Sequence, residues 1–224
     1  MEDYKVLLVK EHVFAENEVN ADTVRKEFSE NKKLLINVMS SPGSGKTTTL
    51  VRLIEMLPQY RIGVMECDID ADCDAKTITE HGGKSIQLHT GGMCHMDAQM
   101  TKQGLDELGM DDIDVCFIEN VGNLVCPAEF DTGADINLTI LSVPEGDDKP
   151  AKYPLMYEVS DVVLINKSDT LPVFDFDTEL VKERIRKLNP DAVIFFVSSK
   201  TGEGFKDCIT WLSNAIEQRR REHA

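Results

Sequence analysis

The sequence predicts an α/β fold in which a mostly parallel central sheet is flanked by helices and organised around one phosphate-binding loop. Two observations carry this expectation. Leu34 to Met39, Val115 to Ile118 and Val162 to Ile165 are apolar without alternation, as expected of strands covered on both faces, and segments with helical patterning alternate with them. Between the earliest of these strands and a long helical segment stands Ser40-Ser41-Pro42-Gly43-Ser44-Gly45-Lys46-Thr47-Thr48. Gly43 and Gly45 let the backbone curl so that the N–H groups of the turn, through Ser44 and Thr48, point at an anion, and the helix behind them presents its positive end to the same spot. Lys46 then reaches the β- and γ-phosphates and the Thr47 hydroxyl binds Mg²⁺. Ser40 occupies the place where the usual pattern has its leading Gly.

Composition sets the bounds. The chain has 224 residues with 42% hydrophobic content, enough for one α/β domain with a sizeable core. Its formal net charge of −16 argues against nucleic acid or an anionic membrane as partner. The basic cluster Arg219-Arg220-Arg221 reads as a solvated helix end that complements the helix dipole. No apolar run approaches the ~20 residues that span a bilayer, and Met1-Glu2-Asp3-Tyr4-Lys5 lacks the layout of a signal peptide. A cytoplasmic location is expected, where the six cysteines stay reduced and serve as core residues or metal ligands.

Residues 1–33 form an N-terminal extension, in which Asp22 to Phe28 reads as a short amphipathic helix opening after Asn20. Its one histidine is His12 and it holds no cysteine. Residues 34–224 form the phosphate-loop domain. The helix from Lys46 ends near Leu57, before Pro58, and Arg61 to Glu66 is the next strand. That strand runs into Cys67-Asp68-Ile69-Asp70-Ala71-Asp72-Cys73-Asp74. The Gly and distal Glu of an EF-hand are missing. At a strand end beside a phosphate loop, Asp68 and Asp74 are the carboxylates best placed to hold Mg²⁺ or its waters. A helix over Ala75 to Glu80 and a short strand over Ser85 to Leu88 follow.

Cys94 and His95 stand in a loop before a helix over Asp97 to Leu108, where adjacent residues can face one ligand point. The strand from Val115 ends in Glu119, a further carboxylate for the Mg²⁺ side of the site, and in Gly122, whose N–H can sense a γ-phosphate. Cys126 follows directly. Three soft or borderline ligands in loops on one edge of a parallel sheet make a metal site of Cys94, His95 and Cys126, suited to Ni²⁺ or Zn²⁺. Cys116 and Cys208 read as core. Cys67 and Cys73 are alternative ligands.

Beyond a strand over Ile136 to Val143, residues 144–154 read as a polar, Pro-rich surface loop. The strand Val162 to Ile165 delivers Asn166-Lys167-Ser168-Asp169. This set fits guanine: the Asp169 carboxylate accepts from the ring N1–H and the exocyclic amine, and the Lys167 stem lies along the base. A helix over Thr178 to Leu188 and a strand over Ala192 to Val197 lead into Ser198-Ser199-Lys200-Thr201-Gly202, a second base-contacting loop through Ser199 and Lys200. A last helix from Gly204 to about Arg221 buries Phe205, Ile209, Trp211, Leu212 and Ile216.

With these pieces assembled, the chain resembles the HypB-type GTPases, which assist nickel insertion into [NiFe]-hydrogenase. The resemblance spans about residues 33–221. It rests on the phosphate loop, Cys94-His95-Met96-Asp97-Ala98, the run Phe117-Ile118-Glu119-Asn120-Val121-Gly122-Asn123-Leu124-Val125-Cys126-Pro127, Glu145-Gly146-Asp147-Asp148-Lys149-Pro150 and Asn166-Lys167-Ser168-Asp169. It implies a SIMIBI-type P-loop NTPase that binds GTP with Mg²⁺, dimerises with GTP, and holds Ni²⁺ or Zn²⁺ at the dimer interface through the positions of Cys94, His95 and Cys126. Its implied partners are a second copy, a hydrogenase large-subunit precursor and a nickel-binding chaperone. Gln99 stands where some members carry a further His, and residues 1–33 have neither the Cys-rich nor the His-rich stretch of some bacterial members. No Gln or Arg is evidently placed to orient water, so intrinsic hydrolysis is expected to be slow. Two alternatives stay open: a urease-type nickel-insertion GTPase, and a metal-binding adaptor that uses GTP only to dimerise.

Overall fold

The computed structural model describes residues 9–68 and 73–221, with side chains over 14–67 and 75–221. Seven strands form one sheet: β1 (Leu34–Ser40), β2 (Ile62–Asp68), β3 (Lys84–His89), β4 (Val115–Glu119), β5 (Ile136–Ser142), β6 (Val162–Asn166) and β7 (Val193–Phe196), in the order β3-β2-β4-β1-β5-β6-β7. Every neighbouring pair is parallel, so the expected mostly parallel sheet is entirely so among the described residues. Strands β1, β4 and β6 are buried along their whole length, which accounts for their unbroken apolar sequence.

Helices cover both faces: α1 (Val9–Glu30), α2 (Lys46–Met56), α3 (Cys73–Glu80), α4 (Ala98–Leu108), α5 (Cys126–Glu129), α6 (Lys149–Lys152), α7 (Pro154–Glu158), α8 (Thr178–Leu188) and α9 (Phe205–Arg221). On one face Leu50, Leu53 and Ile54 of α2 and Phe205, Leu212 and Ile216 of α9 pack on Val38, Val64, Phe117 and Leu164. On the other, Val24 and Phe28 of α1 and Leu105 and Leu108 of α4 pack on Leu35, Met65 and Ile118. Burying each such side chain stabilises the fold by roughly 1.5–3 kcal/mol.

Four expectations are corrected. The short helix expected over Asp22 to Phe28 is the C-terminal part of the 22-residue α1. Ala21, Val24 and Phe28 supply its buried stripe, and earlier in the helix Phe14 stacks on Phe130 while Asn17 bonds to Ala98 N and Asp131 O. Residues 144–154 are not a plain surface loop. A 3₁₀ turn over Val143–Glu145 is followed by α6 and α7. Pro150 and Pro154 open these helices, where a proline lacks no needed N–H and brings the right φ, and α7 buries Met156 and Tyr157. In α9, Ile209 and Trp211 lie only partly covered while Cys208 takes the inner position. Cys126, expected in a loop, opens the single-turn helix α5.

Candidate nucleotide and metal site

β1 ends at Ser40 and the chain turns through Gly43 at φ +75° and Gly45 at φ +101°, a left-handed backbone that glycine adopts without strain. A Cβ on Gly45 would lie 2.6 Å from Asn166 Nδ2, so the loop and the end of β6 meet with no room for a side chain. Ser44 is buried and donates to Ser40 Oγ at 2.6 Å. A serine in place of the leading glycine of the loop therefore supplies an acceptor that braces the turn. Pro42, Gly43, Gly45, Lys46, Thr47 and Thr48 line a cavity of about 560 Å³, together with Glu66, Cys67, Glu119, Val121, Gly122 and Lys167. Thr47 Oγ1 donates to Glu119 Oε1 at 2.9 Å. The arrangement offers glycine-loop amides and an ammonium for phosphates, and a hydroxyl–carboxylate pair for a hard cation. Gly122 packs against this loop: a Cβ there would lie 3.0 Å from Pro42 Cγ.

Asp68 ends β2 and Asp74 lies in α3, but both side chains fall outside the described residues, as does that of Cys73. The sequence reading missed Glu66, which is buried on the same face of β2 as Val64 and stands level with Glu119 across the ladder. Its signal was a lone carboxylate inside an apolar strand, two residues from the strand end.

A second cavity of about 250 Å³ adjoins the first and is lined by Gly45, Thr48, Asn166, Lys167, Asp169, Thr170, Ser199 and Lys200. Asn166 ties its walls together. Its Nδ2 donates to Ser44 O at 3.0 Å, and its Oδ1 accepts from Ser199 N and Ser199 Oγ, each at 3.0 Å. Lys167, at φ +57°, donates through Nζ to Gly43 O at 2.7 Å. Ser198 Oγ donates to Asp169 Oδ1 at 2.6 Å, fixing the carboxylate that faces the cavity. The two loops expected to contact the base thus share one wall with the phosphate loop.

Cys94, His95 and Cys126 come together. Their ligand atoms all lie within 4.8 Å of one another, the metal-capable cluster found among the described residues. Cys94 Sγ stands 2.8 Å from Cys126 Sγ and 3.8 Å from His95 Nδ1. The contact with Cys94, with some burial, raises the Cys126 pKa. Burial lowers the His95 pKa, against the nearby Asp97 and Glu129 carboxylates, and so favours the neutral imidazole that ligates metals. The His95 ring stacks on Phe130 with centroids 3.8 Å apart, and Phe130 stacks on Phe14 of α1 at 4.9 Å. Cys67 is not part of the cluster. It is buried, and desolvation lifts its thiol pKa well above the ordinary value. Cys116 and Cys208 are buried core thiols as expected, that of Cys208 pushed up to about 12 by burial.

Two supports had no strong sequence signal. Glu145 accepts from Ser41 Oγ of the phosphate loop and from Ser142 N at 2.8 Å. On α1, Arg25 Nη2 donates to both carboxylate oxygens of Asp131, at 2.7 and 2.9 Å. Asn17 of the same helix donates to Asp131 O at 2.8 Å and accepts from Ala98 N at 3.0 Å. One helix thus bridges the segments that carry His95 and Cys126.

Residues 34–196 match the family model for the CobW/HypB/UreG nucleotide-binding domain. The chain is 41% identical over 209 residues to the hydrogenase maturation factor HypB of Azotobacter chroococcum mcd 1, covering 93% of this chain and 68% of that protein. It is 37% identical over 223 residues to the hydrogenase/urease maturation factor HypB of Helicobacter pylori strain J99, covering 98% and 90%. Among solved structures, HypB from Helicobacter pylori in complex with nickel superposes with a TM-score of 0.85 at 36% identity, over 93% of this chain and 99% of that one. The signal recognition particle 54 kDa protein of Aeropyrum pernix K1, solved with GDP, aligns at a TM-score of 0.57 and 12% identity over 85% and 49%, a likeness of fold alone. No helix among the described residues is long and apolar enough to cross a membrane.

Proposed function

The chain belongs to the CobW/HypB/UreG family, and from that premise we propose that it is a GTP-hydrolysing metallochaperone that assists nickel insertion during [NiFe]-hydrogenase maturation. The observation that supports this best is the short path between its two sites. Glu119 and Gly122 line the phosphate cavity, and Cys126 of the metal-capable cluster follows on the same segment.

In this reading the loop from Gly43 to Thr48 and the Lys46 ammonium bind the triphosphate, and Asn166, Lys167, Asp169, Ser199 and Lys200 hold guanine. Thr47 and Glu119, with Asp68 or Asp74, are the ligands and water-holders of Mg²⁺. That ion neutralises charge on the β- and γ-phosphates when bound. Gly122 presents its N–H toward the γ-phosphate and reports its presence to the segment that carries Cys126. The Cys94, His95 and Cys126 set fits a soft or borderline cation. Two thiols and an imidazole match Zn²⁺ or Ni²⁺, and the carboxylates that would favour Mg²⁺ are absent from it. Two thiolates on one ion at ~2.3 Å sit roughly 3.3–3.8 Å apart, so the sulfurs separate slightly as they take it. A second copy, docked with GTP across this face, completes the coordination. Hydrolysis then opens the interface and releases the cargo to a hydrogenase large-subunit precursor, with a nickel-binding chaperone as supplier, in the cytoplasm.

Steady-state hydrolysis of GTP and ATP by the purified chain, with Ni²⁺ release followed in the same cuvette, tests this. Slow turnover selective for GTP and accompanied by metal release is expected. Turnover no faster than buffer at saturating GTP would leave a switch that only dimerises.

A further inference from the structure

The segment after Glu119 contains a buried side chain with contacts on three sides. Asn120 is fully buried. Its Oδ1 accepts from Met96 N at 3.1 Å and from Val121 N at 2.9 Å. Its Nδ2 donates to Asn37 Oδ1 at 3.0 Å, and Asn37 Nδ2 donates onward to Asn137 Oδ1 at 3.1 Å. Its backbone N–H donates to Val38 O at 3.0 Å. One carboxamide therefore joins the loop of Cys94 and His95, the segment leading to Gly122 and Cys126, and strand β1, which runs into the phosphate loop.

We propose that Asn120 is the positioning residue that couples the two sites, transmitting the state of the phosphate cavity to the Cys94–His95 half of the metal cluster. This deepens the metallochaperone reading and rests on it. The physical basis is that both lone pairs of Oδ1 are used by main-chain donors in a dry environment, where an amide N–H left without an acceptor costs about 1–3 kcal/mol. Met96 N cannot cheaply part from Asn120, nor Asn120 from Val121. A displacement of Gly122 toward a γ-phosphate moves Val121, and the shared acceptor carries that displacement to Met96 and so to His95. On the far side, Met96 adjoins Asp97, which caps α4 by accepting from Met100 N at 2.8 Å. The loop is thus pinned behind its ligands and moves at the Asn120 contact. Cys126 moves with its own segment, so Asn120 keeps the two halves of the cluster in step.

The test is the Ni²⁺ affinity of the full chain, measured by competition with a chromophoric chelator, in GDP and in a non-hydrolysable GTP analogue, with the nickel–thiolate absorption band recorded in both. For the unaltered chain the two affinities should differ by about tenfold or more, within the usual span of such couplings. Asn120→Ala should bring that ratio to about one and remove the nucleotide-induced change in the band, while GDP affinity stays within about threefold. Asn120→Asp keeps the acceptor for Met96 and Val121 and should restore most of the ratio. Asn137→Ala breaks the outer link of the same chain and should keep the ratio. If Asn120→Ala does not fold, Asn120→Ser, whose hydroxyl is too short to span to Met96 N, carries the same comparison. A ratio retained in Asn120→Ala or Asn120→Ser, or lost equally in Asn137→Ala, would overturn the relay and leave the coupling standing. A ratio of one in the unaltered chain would overturn the coupling itself and the relay with it.

Discussion

The Thr47 hydroxyl donates to the Glu119 carboxylate across 2.9 Å, joining the first turn of the phosphate-loop helix to the end of a central strand. Both groups are ordinary ligands of a hard cation and its waters. Glu119→Gln keeps the shape and an acceptor but removes the charge. It should lower Mg²⁺-dependent GTP turnover by ~100-fold or more while nucleotide binding in excess chelator changes little. Parallel turnover and nucleotide titrations check this.

Asp169 is held by Ser198 Oγ at 2.6 Å on the wall of the smaller cavity. Guanine presents two donors to a carboxylate there, whereas xanthine presents a donor and a carbonyl oxygen. Asp169→Asn should lose GTP affinity by at least ~100-fold and bind xanthosine triphosphate better than the unaltered chain does. Competition with a fluorescent guanine nucleotide measures both changes.

The cysteines separate by environment. Cys126→Ala and Cys94→Ser should each weaken Ni²⁺ or Zn²⁺ binding by ~100-fold or more, at or beyond the loss that outer supports of a metal site produce, with GDP affinity intact. Cys67→Ala should leave metal affinity unchanged, because that thiol is buried and its thiolate disfavoured. Equilibrium metal titration of the three variants decides this, and a metal defect in Cys67→Ala would show that the ligand set is wrong.

Asp114 is held near pKa 2, below an ordinary value of 3.8, chiefly by its hydrogen bonds from the Arg61 guanidinium, with Arg61 N also donating at 2.8 Å. A depressed carboxylate stabilises the fold above its unfolded pKa, and that contribution fades as pH falls from about 4 to about 2. Arg61 is largely exposed, which screens the pair. Asp114→Asn should therefore cost only on the order of 1 kcal/mol at neutral pH and nothing below about pH 2. Denaturant melts of both chains across that range read the difference.

The frame of the molecule was legible because strands β1, β4 and β6 are buried on both faces and the loops are punctuated by glycine. The unbroken run from Leu34 and the turn at Gly43 and Gly45 specify strand, loop and helix, and the Asn166 to Asp169 set follows a strand just as visibly. The metal-capable cluster was legible as residue types but not as geometry: Cys94 and Cys126 are 32 residues apart, and only the parallel pairing of β3 with β2 and of β2 with β4 brings their loops to one edge. What stayed hidden depends on distant partners. The part of α1 before Asn20 was not expected as helix, and its place comes from Phe14 against Phe130 and Asn17 against Asp131 and Ala98. The helices after Gly146 were masked by prolines that open helices rather than interrupt them. Asn37 inside β1 and Asn120 just past the end of β4 carry no sequence signal, and their place comes from hydrogen bonds to Asn137 and Met96.

The most direct measurement is the solution mass of the chain by light scattering, with GDP and with a non-hydrolysable GTP analogue, each with and without Ni²⁺. A dimer that forms with the analogue, strengthens with Ni²⁺ and is absent with GDP is the expected result for a metal site completed across a nucleotide-gated interface. A monomer under all four conditions would contradict it.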